Sequence, residues 1–82
     1  MSDADAIRAY AVKIYIDPAR KAGEKRVSFT ADSIHKALRY ENRYPAVCSA
    51  IDAPIFEKEN RITRVCREGP KQGVHVRWTF SL

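Results

Sequence analysis

The segment Val74-His75-Val76-Arg77-Trp78-Thr79-Phe80-Ser81-Leu82 decides the fold. Val74, Val76, Trp78, Phe80 and Leu82 fall on one side of it, and His75, Arg77, Thr79 and Ser81 on the other. An unbroken period of two marks a strand with one face buried and one wet. Just before it, Gly69-Pro70-Lys71-Gln72-Gly73 reads as turn punctuation. Arg61 to Leu82 is therefore expected to be a two-stranded hairpin with a basic tip and outer face. Arg61, Arg64, Arg67, Lys71 and Arg77 stand there against Glu68 alone. The first sixty residues hold ten Lys/Arg and nine Asp/Glu, so nearly all of the +5 net charge sits on this one element. Charge concentrated in this way points to a polyanion partner more strongly than a high pI does.

Helices are expected ahead of the hairpin. Ile7, Tyr10, Ala11, Ile14 and Tyr15 recur at the spacing of one helix face. Asp3 and Asp5 precede them, where carboxylates favour the positive helix end. Val12 and Ile16 are apolar residues beyond that stripe, free to cover the hairpin or to pair two copies. Pro18 is expected to end or kink the helix. Pro18 to Ala22 suits one further turn, with Gly23 at its end. Arg26-Val27-Ser28-Phe29-Thr30 is a strand with Val27 and Phe29 inward. Thr30 then caps a helix from Ala31 to about Arg39, buried through Ile34, Ala37 and Leu38. Tyr40 to Arg43 form a turn. A third helix follows with Pro45 in its first turn, Val47, Ala50 and Ile51 inward, and Ala46, Ser49 and Asp52 outward. Pro54 breaks it, and Ile55-Phe56 make a short helical turn in the core.

Eighty-two residues, 45% of them hydrophobic, suit one domain; a chain of this size buries about two thirds of its unfolded surface. No apolar run approaches the roughly 20 residues of a membrane span. The acidic Met1-Ser2-Asp3-Ala4-Asp5 start lacks the features of a signal peptide, so a cytoplasmic location is expected. Cys48 and Cys66 lie in apolar contexts outside any CxxC pair. They read as reduced core thiols, not as a disulfide or metal ligands. No cofactor, metal or small-molecule substrate is implied. His35 on the polar side of its helix and His75 on a wet strand face lack nucleophile partners, and no phosphate-binding glycine loop is present. No catalytic residue is assigned.

The Thr30-capped helix, the Asn42-Arg43 turn, the Pro45 helix and the Gly69 to Gly73 hairpin tip together make an α+β pattern. Its order is helix, strand, helix, helix, strand, wing, strand. This resembles the winged-helix branch of the helix-turn-helix DNA-binding proteins, and more loosely small stand-alone prokaryotic proteins of that pattern. The resemblance covers almost the whole chain and rests on element order. It implies that the third helix enters the major groove of double-stranded DNA and that the wing lies on the backbone or in the minor groove. Asn42, Arg43 and Ser49 would then face the groove, and Arg64, Arg67, Lys71 and Arg77 would hold phosphates, with Tyr44 either a phosphate donor or a core or staple residue. The role implied is a small transcription regulator or a DNA-contacting subunit. A homodimer is the expected oligomer. Ser49 and Asp52 stand where Arg, Asn or Gln usually reads base edges. That departure keeps a second reading open, an interaction adaptor without DNA contact. RNA stays open as a partner, although no aromatic stacking pair marks a sheet face. A second basic cluster, Arg20, Lys21, Lys25 and Arg26 offset by Glu24, reads as a solvated loop, with an extension of the DNA footprint as the alternative.

Overall fold

Two ladders of hydrogen bonds tie the last strand to partners far apart in the chain. In the computed structural model, which describes residues 3–70 and 75–82, β1 (Arg26–Thr30) and β2 (Thr63–Glu68) both run antiparallel to β3 (Arg77–Ser81). The three-stranded order is β1-β3-β2. Helices cover one face: α1 (Asp3–Ala11), a π-helical turn (Val12–Ile16), α2 (Asp17–Lys21), α3 (Ala31–Ala37), α4 (Tyr44–Asp52) and α5 (Pro54–Asn60). The α+β class read from the sequence holds at this level.

The alternation in β3 works as its period dictates. Val76, Trp78 and Phe80 are fully buried, while His75 and Arg77 are exposed. Phe29 of β1 lies beside Trp78 and Phe80, with ring centroids 5.8 and 5.7 Å away. Phe56 meets Phe80 edge-on at 5.4 Å. Ile7, Ile34, Val47, Ile51 and Phe56 close the core from the helices. The Trp78 indole N–H is satisfied inside it, donating to Asp52 Oδ1 at 2.8 Å. Val74 and the hairpin-tip residues Lys71, Gln72 and Gly73 lie outside the described residues.

The first helical stretch departs from a simple 3.6-residue stripe. Ile7, Ala11 and Ile16 are fully buried, whereas Ile14, expected inward, is 43% exposed. The cause is the π turn: the Asp17 N–H bonds the Val12 carbonyl five residues back, so the buried spacing widens from four residues to five. Pro18 falls in the first turn of α2 and neither ends nor breaks the helical path. It has no N–H to offer, and the widened turn immediately before it takes up the mismatch. Gly23, at φ +77°, then turns the chain into β1.

Thr30 caps α3 as expected, its Oγ1 accepting from the Ser33 N–H at 3.1 Å. The buried face of α3 is Ala31, Ile34 and His35, with Leu38 half-buried and Ala37 exposed. The helix ends at Ala37, and Arg39 adopts φ +57°. Pro54 begins α5, a longer helix than the sequence implied, and in it Phe56 is buried but Ile55 is 45% exposed. Arg61, with φ +54°, closes α5, so the hairpin starts at Thr63.

In β2 a bulge changes which residues face the core. Arg64 pairs with Phe80 and Cys66 with Thr79, leaving Val65 as the extra residue. A bulge inverts the alternation beyond it. Arg64 and Arg67 thus both share the helix-side face with Phe80 and Trp78, and Cys66 points outward with Thr79. Cys48 is buried but Cys66 is exposed, against the expectation of two core thiols.

Two outcomes follow. Trp78→Ala is expected to cost about 3–5 kcal/mol of stability, as large-to-small core changes do, and urea melts will measure it. Trp78→Phe keeps most of the ring packing but loses the indole bond, and is expected to cost less. Native protein treated with a chromophoric disulfide should release one fast equivalent, from Cys66. The second, from Cys48, should appear only on unfolding. Two fast equivalents would contradict the burial of α4.

Candidate nucleic-acid interface

The turn between α3 and α4 is built from the side chain of a buried histidine. His35, 7% exposed, stacks on the Tyr44 ring with centroids 3.9 Å apart and planes 9° apart. Its Nε2 accepts the Arg43 backbone N–H at 3.1 Å. Arg43 is the N-cap residue of α4 and offers no side-chain cap of its own. His35 therefore supplies from α3 the acceptor for that N–H, much as a capping-box side chain does. The sequence reading placed His35 on the polar side of α3. Counting from the Thr30 cap, Ala31, Ile34, His35 and Leu38 share one face, which was the available signal.

Three predicted DNA-contacting residues meet at this turn. Asn42 is exposed, with φ +52°. The Arg43 side chain is exposed, forms an ion pair with Asp3 and lies 5.6 Å from the Tyr40 ring centroid. Tyr44 is half-buried, and its hydroxyl donates to Asp32 Oδ1 at 2.7 Å. That bond, followed by the one from Lys36, holds the Asp32 carboxyl below the ordinary value. It raises the Tyr44 phenol. Tyr44 is thus engaged within the domain. Ser49 is exposed on α4, where Pro45 is the other exposed position and has no hydrogen-bonding group on its side chain.

The predicted phosphate-binding arginines divide between the two faces of the sheet. Arg64 and Arg67 turn toward the helices. Asp52, the last residue of α4, accepts on one oxygen from Arg67 Nε at 2.9 Å, Arg64 Nη1 at 3.1 Å and Trp78 Nε1 at 2.8 Å. Arg67 also donates to the Pro70 carbonyl at 2.9 Å. The Arg64 backbone N–H donates to Glu57 Oε1 at 2.7 Å. Arg77 instead lies on the outward face, level with Thr30 and Glu68. Lys71 lies outside the described residues.

Asp52 is the residue that the sequence reading undervalued. It was placed outward as a poor base reader. A signal was present, because a buried indole N–H needs an acceptor and Asp52 is the carboxylate nearest the core stripe of its helix. Burial pushes the Asp52 carboxyl up. The hydrogen bonds from Arg67 and Trp78, with the charges of Arg67 and Arg64, outweigh that and hold it below the ordinary value.

On the outward face of the sheet the cross-strand rows are Arg26–Ser81–Thr63, Ser28–Thr79–Cys66 and Thr30–Arg77–Glu68. Ser28 and Thr79 hydroxyls bond each other at 2.8 Å. Between α1 and α5 a cleft of ≈ 300 Å³ is lined by Asp5, Arg8, Lys13, Asp17, Glu59 and Asn60, acids and bases together. Among the described residues no group of three or more His, Cys, Asp or Glu is placed to hold a metal ion. No described helix is long and apolar enough to cross a membrane. Comparison with models of known protein families, with curated proteins and with solved structures returned no match for this chain.

The Asp52 cluster has a pH signature. A carboxyl with a lowered folded-state pKa contributes stability above its unfolded value, near 4. That contribution declines as pH falls through the unfolded value and is gone once pH has passed the folded one. Asp52→Asn keeps an acceptor for Trp78 but removes the charge. Its stability, measured by urea melts from pH 7 downward, should fall less steeply in acid than that of the wild type. Parallel curves would show that Asp52 does not carry this dependence.

Proposed function

We propose that this chain binds double-stranded DNA as a winged helix-turn-helix, serving as a small transcription regulator or as a DNA-contacting subunit. The observation that carries the reading is the α3–turn–α4 pair followed by the β2–β3 hairpin, on the segment that holds nearly all of the net +5 charge. Lysine and arginine on a DNA-binding domain neutralise phosphates and release counterions, an attraction independent of sequence. The exposed positions of α4 offer Pro45 and Ser49, which suits backbone contact and shape reading better than base-edge recognition.

A second reading draws on the ion pairs. Arg43 holds Asp3, and Arg64 and Arg67 hold Asp52, so three of the predicted DNA contacts already have partners within the domain. That commitment favours an interaction adaptor in which the same elements meet another protein.

A titration with random-sequence duplex at low salt separates the two. Binding in the micromolar range, weakening steeply as salt rises, is expected, since non-specific DNA binders reach about 10⁻⁴–10⁻⁶ M even at physiological salt. No binding at tens of micromolar would rule out the DNA reading and leave the adaptor.

A further inference from the structure

We infer that the main phosphate-binding surface is the corner where α2 runs into β1, and not the ion-paired arginines of the α3–α4 turn and of β2; this rests on the reading of the chain as a duplex-DNA binder. The argument starts from which cations are already committed. Arg8 pairs with Asp5, Lys36 with Asp32, Arg43 with Asp3, and Arg64 and Arg67 with Asp52. A phosphate approaching any of these must compete with a carboxylate already in place. Lys21, Lys25, Arg26 and Arg61 are exposed, and none forms an ion pair among the described residues; Lys13, Arg39, Lys58 and Arg77 form none either, but they stand on separate segments, and Arg77 lies opposite Glu68 in the sheet.

The fold gathers these four from separated parts of the chain. The Arg20 guanidinium donates to the Asn60 carbonyl and, at 3.2 Å, to that of Arg61. That draws the end of α2 onto the end of α5. The Lys25 carbonyl accepts the Leu82 N–H at 2.9 Å. Arg26 pairs with Ser81, which has Thr63 on its other side. Strand spacing of about 4.8 Å sets Arg26 and Thr63 roughly 10 Å apart on the outward face.

Within the corner Glu24 stands against the four cations. Asp17, one helical turn before Lys21, and Glu59 line the cleft with Arg8 and Lys13. Ser81 stands beside Arg26 and Thr63 one strand further in the same row, and arginine with serine and threonine is a common phosphate-contacting set. Such contacts orient the domain on the duplex without reading its sequence, which fits the poverty of base-reading groups on α4.

The test uses the full chain and a random-sequence duplex of about 20 base pairs, titrated from low to moderate salt. The corner variant is Lys21→Gln/Lys25→Gln/Arg26→Gln, at exposed positions with no side-chain bond among the described residues. Arg20 is left intact because it caps carbonyls. The hairpin variant is Lys71→Gln/Arg77→Gln. The corner variant should bind at least about tenfold more weakly at low salt, with a salt slope reduced by about 2–3. The hairpin variant should stay within about threefold of wild type. Circular dichroism melts should show all variants folded. The charge-preserving Lys21→Arg/Lys25→Arg/Arg26→Lys variant should bind as wild type does, and its loss of binding would overturn the assignment. A corner variant that binds like wild type while the hairpin variant fails also overturns it, with the DNA reading intact. Equal losses in both overturn it too, because charge would then matter without regard to place. If the wild type does not bind, the DNA reading falls and this inference falls with it.

Discussion

A single carboxylate oxygen, Asp52 Oδ1, joins the three elements whose relative placement defines the domain. It receives the Trp78 indole from β3 and two guanidinium groups from β2, and it belongs to the last residue of α4. A carboxylate at a helix C-terminus faces the negative end of the helix dipole and is unfavourable there by itself. Three donors reverse that balance, and two of them are charged. The bulge at Val65 makes the arrangement possible, since without it Arg64 and Arg67 would sit on opposite sheet faces. The angle between α4 and the hairpin therefore depends on one bulge, one acid and one buried ring.

This clasp sets a conflict between structure and recognition. The hairpin's charge excess is visible in the chain as a run of arginines, but two of them are spent on holding the hairpin to α4. Ion pairs at partly exposed positions contribute little to stability individually. Here their larger consequence is geometric. They fix where cations are held and, by exclusion, where they remain free. A chain can carry a large formal charge on one element and present much of its available charge elsewhere.

The parts of the fold legible in the sequence are those set by local periodicity and by cap or turn residues. β3 was readable because Val76, Trp78 and Phe80 alternate against Arg77 and Thr79. β1 and the start of α3 were readable because Thr30 supplies a cap oxygen at the junction. The bulge at Val65 and the π turn at Val12–Ile16 were not. Each inserts one residue into a periodic pattern, and nothing in side-chain type marks the insertion. The resulting errors share one form: Ile14 turned outward and Ile16 inward, and Cys66 turned outward while Arg64 and Arg67 turned in. The candidate site suffered most, because ion-pair partners such as Asp3 for Arg43 are 40 residues apart and no local pattern predicts them.

The α3–α4 turn shows how much surrounding structure a short connection requires. Arg39 and Asn42 both occupy the left-handed region, at φ +57° and +52°. For residues with a Cβ this costs roughly 1–2 kcal/mol, less for asparagine. Arg39 is held by its N–H bond to the Lys36 carbonyl at 3.1 Å, and the next residue by the Tyr40 N–H bond to the His35 carbonyl at 3.1 Å. On the far side of Asn42, the His35 ring fixes the Arg43 N–H and stacks against Tyr44, whose hydroxyl is anchored on Asp32. His35 thus acts on both ends of the turn, through its carbonyl and through its ring. Strained backbone persists only where its surroundings over-determine it. Here the over-determination comes from α3, so the entry angle of α4 is a property of the helix before it and not of the turn residues themselves.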